Sequence, residues 1–298
     1  MLAASPEKRI DGRRIASDYL EEIKQRLQTL KMRHIDPTLA VVYVGDHPAS
    51  RTYFRVKERL ARELGIRFIA ERLPSGISES TLIAQINSLN ADPAVHGIFV
   101  EFPLPGALAS EQVRASVTPQ KDVDGVTPEN LGRLLLGQEG LYPSTPYGVI
   151  ELLKKSGVPL RGKHAVVVGR SEVVGKPLAM LLLKEDATVT LCHSRTPDLA
   201  YHTRQADVLC VAAGRPKIIT ADMVKEGAVV IDIGINATPE GIVGDVDFDL
   251  VSARASLITP VPGGVGPMTA TIVMRNTVLA AEHLSIRSQR SGSLGENI

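Results

Sequence analysis

The chain has 298 residues, which at roughly 150 residues per domain predicts about two domains. Its 34 Lys and Arg against 33 Asp and Glu leave a net charge of +1, which gives no electrostatic reason to expect nucleic acid or an anionic membrane as a partner. Apolar residues at 44% suit hydrophobic cores and exclude a disordered chain, while 4% aromatics and no Trp predict aliphatic cores with few platforms for stacking bases.

The opening ten residues are short and mixed polar, with no signal-peptide pattern, and no apolar run reaches the ~18 residues of a membrane span. The expected compartment is the cytoplasm. Ile15, Tyr19, Ile23, Leu27 and Leu30 recur at helical spacing and predict an amphipathic helix. A β-branched run, Thr38 to Val44, then predicts a strand ending at Gly45. The next helix is expected over residues 50–64, with Ser50 as N-cap and Tyr53, Val56, Leu60 and Leu64 on one face. A strand over 66–73, a Pro74-Ser75-Gly76 turn, a helix over 78–89 and a strand over 95–99 follow.

Residues 101–146 change character. Pro103, Pro105, Pro119, Pro128, Pro143 and Pro146 interrupt every regular period, and the stretch reads as long ordered loops of functional type. From Lys163 onward the rhythm is regular again. Strands are expected at 164–168, 188–192, 208–211, 229–233 and 257–259, with helical stretches between the first four. Near-continuous apolar strands alternating with helices predict a parallel α/β sheet covered on both faces. A last helix is expected from Pro267 to about His283, and 285–298 reads as a polar, frayed tail. Cys192 and Cys210 have neither disulfide-framework nor zinc spacing and are expected to be small buried hydrophobes, and no metal site is expected.

Five segments carry chemistry. Gly169-Arg170-Ser171-Glu172-Val173-Val174-Gly175 lies between a predicted strand and a predicted helix, where backbone N–H groups can approach a pyrophosphate. Its spacing is not G-x-G-x-x-G, and a plain strand–helix turn accounts for the same residues. The next strand ends Cys192-His193-Ser194-Arg195 with no carboxylate for a ribose hydroxyl, so Ser194, Arg170 and Arg195 suit the 2′-phosphate of NADP or form a solvated basic loop. Tyr53 and Lys57, four apart, share one side of their helix and either pass protons or merely pack and snorkel. Asp122 and Asp124 offer a carboxylate for a ring N–H or an Asx turn. The loop from Thr259 to Thr269 holds three glycines and three prolines, more than a turn requires, and reads as contacting a planar ligand.

Together these segments resemble the bifunctional methylenetetrahydrofolate dehydrogenase/methenyltetrahydrofolate cyclohydrolase family over residues 11–284. The resemblance rests on Ala49-Ser50-Arg51-Thr52-Tyr53-Phe54-Arg55-Val56-Lys57, Gly97-Ile98-Phe99-Val100-Glu101-Phe102-Pro103-Leu104-Pro105 and Lys121-Asp122-Val123-Asp124-Gly125. It continues through Ser144-Thr145-Pro146, the Gly169–Ser171 and Val174-Gly175-Lys176-Pro177 segments, Asp232-Ile233-Gly234-Ile235, Gly244-Asp245-Val246 and the Thr259-to-Thr269 loop. The resemblance implies oxidation of 5,10-methylenetetrahydrofolate to the 5,10-methenyl cation by NADP+, then hydrolysis to 10-formyltetrahydrofolate, a place in one-carbon metabolism and purine biosynthesis.

It further implies residue roles. Lys57 is the key catalytic residue, with Tyr53 against the folate ring, Glu101 beside the lysine and Asp124 holding the pterin. Val100, Phe102 and the loop Pro262-Gly263-Gly264-Val265-Gly266 contact the folate. Gly169, Arg170, Ser171, Ser194 and Arg195 bind NADP, and Ile235 touches its nicotinamide side. The implied architecture is α/β with two domains. A folate-binding domain spans 1–146 and is completed by a returning C-terminal helix over 267–284. A Rossmann-like, doubly wound NADP-binding domain spans 147–266. The active site is expected in the cleft between them, and a homodimer through the Rossmann-like domain.

Two residues depart from the family's pattern. Glu101 stands where relatives usually carry Gln. A carboxylate there either holds Lys57 as the ammonium and weakens hydrolysis, leaving a dehydrogenase, or joins the proton relay as a coupled pair. Ser144 stands where many relatives carry Cys, and little consequence is expected.

Overall fold

The computed structural model describes residues 8–46, 48–106, 108, 110–239 and 241–295, with the side chains of 48–50, 52 and 287–295 outside the description. Ser50, expected as the N-cap of a helix over 50–64, is instead the third residue of a helix that begins at Pro48, and its side chain lies outside the description. In chain order the elements are α1 (Gly12–Met32), β1 (Thr38–Val44), α2 (Pro48–Leu64), β2 (Arg67–Leu73), α3 (Glu79–Ala91), β3 (Gly97–Val100), α4 (Ser110–Ser116), α5 (Pro128–Leu135) and α6 (Ser144–Lys155). They continue with β4 (His164–Val168), α7 (Gly175–Lys184), β5 (Thr188–Cys192), α8 (Leu199–Thr203), β6 (Val208–Val211), β7 (Val229–Asp232), β8 (Asn236–Thr238), β9 (Gly241–Val243), α9 (Phe248–Arg254), β10 (Leu257–Ile258) and α10 (Val265–Gly295). Two compact units result. One comprises Tyr19–Arg133, Gln138–Ser144 and Ala270–Ile298, and the other Met1–Asp18, Leu134–Gly137 and Thr145–Thr269.

The first unit is built on a parallel sheet ordered β2-β1-β3. The central β1 is apolar from Leu39 to Val44, and all seven of its residues, Thr38 included, are buried. Ala40, Val42, Ile98 and Val100 on one sheet face pack with Leu82, Ile86 and Leu89 of α3 and Val113 of α4. Ser78 caps α3 by accepting the Thr81 N–H at 3.1 Å. Within this unit α10 is tied down by Asn276, whose Nδ2 donates to the carbonyls of Val123 (3.0 Å) and Tyr142 (3.2 Å), and by Glu282, which takes two bonds from Arg26.

The region expected as loops contains α4, α5 and the start of α6. Pro128 is the first residue of α5 and Pro146 the third of α6. The first helical turn needs no intrahelical N–H, so these prolines begin helices rather than break them.

The second unit holds a five-stranded parallel sheet ordered β10-β7-β6-β4-β5, the doubly wound arrangement anticipated from the apolar runs. Between β6 and β7 the expected helix is replaced by a single 3-10 turn, Ala221–Met223. Gly214 and Pro216 deny that stretch a continuous helical ladder. The antiparallel hairpin β8–β9 has no counterpart in the sequence reading. At the other end, α10 runs on to Gly295 instead of stopping near His283. No proline follows Pro267 to end it. Residues 296–298 of the expected tail lie outside the described residues. Among the described residues, no helix is long and apolar enough to cross a membrane.

Candidate active site

The innermost residues of α2 are Phe54, Lys57 and Ala61. Tyr53, Val56, Leu60 and Leu64, expected to form the buried face, are all half-buried. Both sets have helical spacing, and the tertiary packing selects the set one residue further on, which carries Lys57 inward. There Nζ lies 2.7 Å from Glu101 Oε1, and the two side chains are 4% and 5% exposed. Glu101 directly follows β3, and its backbone N–H donates to the Val42 carbonyl at 2.9 Å, so the sheet fixes its place. The lysine nitrogen also sits 4.0 Å from the centre of the Phe99 ring and 5.9 Å from that of Tyr53. Aromatic faces and one carboxylate therefore replace the water an ammonium would otherwise hold.

Burial pushes the Glu101 carboxyl up from its ordinary range, against the pull of the Lys57 charge and hydrogen bond. Burial, and then the nearby Glu101 charge, raises the Tyr53 hydroxyl. A buried carboxyl at 2.7 Å from an amine is placed to exchange a proton with it.

The two aspartates left open by the sequence divide their roles. Asp122 is buried and accepts from the N–H groups of Gly125 (2.9 Å) and Thr127 (2.8 Å) and from Asn130 Nδ2 (2.9 Å). It organises its loop. Asp124 is half-buried and accepts the Ser144 hydroxyl at 2.5 Å. Burial carries its carboxyl up to about 6, with the Ser144 bond opposing and the Asp122 charge adding. Ser144, expected to matter little, is thus the partner that orients Asp124. Val100, Phe102 and Asp124 border one small pocket together with Arg114 and Asp122.

In the other unit, the turn after β4 begins at Gly169 with φ +129°, a conformation open to glycine. A Cβ there would stand 2.1 Å from the Ala212 carbonyl oxygen, and one on Gly175 would stand 2.0 Å from the Gly169 oxygen. The Ser171 hydroxyl accepts from the N–H groups of Val174 (3.2 Å) and Gly175 (3.3 Å) at the start of α7, and its own O–H remains to donate. Arg170, Ser171, Ser194 and Arg195 are exposed at the C-terminal ends of the neighbouring strands β4 and β5, and no hydrogen bond joins Arg170 to Ser194 among the described residues. This glycine cradle, two guanidinium groups and two hydroxyls, with no carboxylate ending β5, fit the pyrophosphate and 2′-phosphate of NADP. Ile235 is 46% exposed beyond β7. Of the later loop, Pro262 is exposed, Gly264 and Val265 are buried, Gly263 takes φ +111°, and Gly266 borders open space.

Sequence reasoning assigned no role to Phe99, Asp232 or Asp245. The signal for the aspartates was their close pairing with glycine in Asp232-Ile233-Gly234 and Gly244-Asp245. Phe99 left none, because its place beside Lys57 follows from strand pairing.

Comparison with known proteins matches both halves of the chain. Residues 10–124 match the family model described as tetrahydrofolate dehydrogenase/cyclohydrolase, catalytic domain, and residues 143–285 match its NAD(P)-binding domain. A relative called "Bifunctional protein FolD 2", from Desulfitobacterium hafniense, is 52% identical over 269 residues, covering 90% of this chain and 95% of its own. The crystal structure of a bifunctional FolD methylenetetrahydrofolate dehydrogenase/cyclohydrolase from Campylobacter jejuni superimposes with a TM-score of 0.90 at 47% identity, covering 92% of this chain and 98% of its own. A Trypanosoma brucei methylenetetrahydrofolate dehydrogenase-cyclohydrolase, solved with NADP and an inhibitor, also reaches 0.90, at 37% identity over 96% of this chain and all of its own.

Proposed function

The chain belongs to the tetrahydrofolate dehydrogenase/cyclohydrolase family, and from that premise we propose that it oxidises 5,10-methylenetetrahydrofolate with NADP+ and hydrolyses the product to 10-formyltetrahydrofolate. The observation that carries this reading is the buried 2.7 Å pair of Lys57 and Glu101 beside Tyr53 and Phe99. Relatives named bifunctional favour both activities over a dehydrogenase alone.

NADP, when bound, supplies the hydride acceptor for the methylene carbon. Gly169 and Ser171 after β4 would hold its pyrophosphate, while Arg170, Ser194 and Arg195 would bind the 2′-phosphate. Ile235 borders its nicotinamide side. Tyr53, Val100 and Phe102 hold the folate ring, with Asp124 accepting from the pterin's N–H groups. The half-buried, oriented carboxylate of Asp124, and the small pocket it borders with Val100 and Phe102, support these roles.

Hydrolysis then adds water to the methenyl carbon, breaks one carbon–nitrogen bond and releases one proton. Lys57 takes the proton from water and returns one to the departing ring nitrogen. Glu101 is the reservoir: with its carboxyl raised by burial, it holds the lysine's proton while the amine acts as base. The carboxylate that departs from the family's pattern therefore serves the relay.

A homodimer through the second unit belongs to the same reading. It is supported by β5, which ends the five-stranded sheet, and by Leu183, Leu191 and Tyr201, exposed on and near it. A cytoplasmic location is supported by the unpaired thiols of Cys192 and Cys210.

The deciding assay gives purified protein 5,10-methylenetetrahydrofolate and NADP+ and follows NADPH and the methenyl intermediate together. NADPH formation with methenyl cleared faster than in an enzyme-free control is the expected result. NADPH formation with methenyl decaying at the control rate would overturn the hydrolytic half.

A further inference from the structure

At the C-terminal edge of the second unit's sheet, two buried aspartates gather the loops that follow three strands. Asp232 ends β7 and is 3% exposed, and Asp245 follows β9 and is 0% exposed. Asp245 accepts the three successive backbone N–H groups of Ala213 (2.6 Å), Gly214 (2.8 Å) and Arg215 (2.9 Å), and Asn236 Nδ2 at 2.8 Å. Asp232 accepts the N–H groups of Gly234 (3.1 Å), Asp245 (2.9 Å) and Val246 (3.0 Å). Its own N–H donates to Thr259 Oγ1 at 2.8 Å, at the head of the loop that leads into α10.

The packing leaves no slack. A Cβ on Gly234 would stand 2.1 Å from the Asp245 carboxyl carbon, and one on Gly244 would stand 1.8 Å from Asp232 Oδ2. The contacts also run toward the phosphate cradle. The segment held by Asp245 begins next to Ala212, whose carbonyl oxygen lies against Gly169, and the Gly169 oxygen lies against Gly175 at the start of α7. One carboxylate thus fixes the loop after β6, and through it the turn after β4. Three consecutive N–H groups turned onto one side chain need an acceptor-only group. An amide would present its own N–H to one of them.

Resting on the NADP reading above, we propose that Asp245 is a positioning residue for cofactor binding. It does not touch the cofactor. It holds the loop after β6 and, through Asn236, the hairpin behind Ile235 in the geometry that receives the nicotinamide half. Hydrolysis of the methenyl substrate consumes no cofactor, which separates this role from general support of the fold.

The test compares wild type with Asp245→Asn and Asn236→Ala. NADP+ affinity is measured by titration calorimetry, and methenyl hydrolysis is measured without NADP+. For Asp245→Asn, a dissociation constant raised by about tenfold or more is expected, with hydrolysis within about twofold of wild type. Asn236→Ala, which removes one donor of four, should shift NADP+ binding in the same direction by less. Unchanged NADP+ binding in a folded variant, or affinity and hydrolysis falling in parallel, would overturn the proposal. If Asp245→Asn fails to fold, Asn236→Ala decides by the same two readouts. A wild type that binds no NADP+ would instead refute the proposed function on which this rests.

Discussion

Lys57 and Glu101 form an ion pair that the protein has taken almost wholly out of water. Such a pair contributes little net stability, because desolvation offsets attraction, but losing one partner is costly. Glu101→Gln keeps a hydrogen-bond acceptor for Lys57 and removes the group that can take its proton. Both activities should persist in the variant, while the pH profile of methenyl hydrolysis shifts, as measured from about pH 5 to about pH 9. Identical profiles would remove Glu101 from the relay. Asp124 gives a stability prediction. Its carboxyl titrates at about 6 in the folded chain, against about 3.9 when unfolded. The folded state therefore binds the proton more tightly, and this residue's contribution falls as pH rises from about 4 to about 6, then levels off. Asp124→Asn should flatten that slope in thermal melts across the interval, since the Ser144 hydroxyl can still donate to the amide oxygen.

At the scale of elements, the loop bearing Asp122 and Asp124 is laid beside β3. The Ile98 N–H donates to the Lys121 carbonyl at 2.7 Å. The Lys121 side chain then reaches back to the end of α3, donating to the carbonyls of Leu89 (3.3 Å), Asn90 (2.8 Å) and Asp92 (2.7 Å). One residue thereby satisfies a helix C-terminus and anchors the loop that carries a site carboxylate. Lys121→Met should lower unfolding free energy by about 2 kcal/mol in urea titrations, with a raised KM for folate. The helices in the Pro-rich region show why that region was read as loops: proline suppresses the periodic signal, yet it suits the first helical turn.

For the whole molecule, the exposed apolar residues near β5 lead to a test of assembly. Light scattering should give twice the 32.0 kDa mass of the chain. Leu191→Asp should return it toward the single-chain value by placing a charge at the edge strand. A wild type of single-chain mass would remove the dimer from the proposed function.

The α/β class, most strands of the two parallel sheets and the candidate status of Tyr53, Lys57, Asp124, Arg170 and Ser194 were legible in the sequence. The class and strands depend on local periodicity, and the site candidates on motif chemistry together with the family resemblance that the motifs carry in combination. Packing decided that Phe54, Lys57 and Ala61, rather than Tyr53, Val56 and Leu60, lie innermost on α2. The roles of Asp122 and Asp124 were separated by partners five and twenty positions away, Thr127 and Ser144. Asp245 reached its loop from 30 to 32 positions away and Lys57 met Glu101 from 44. Those meetings are set by strand order and register, which bring distant segments to one edge of a sheet. Hydrophobic patterning determines that a sheet forms, but only the assembled sheet determines which buried polar groups face each other and so acquire partners, altered proton affinity and chemistry.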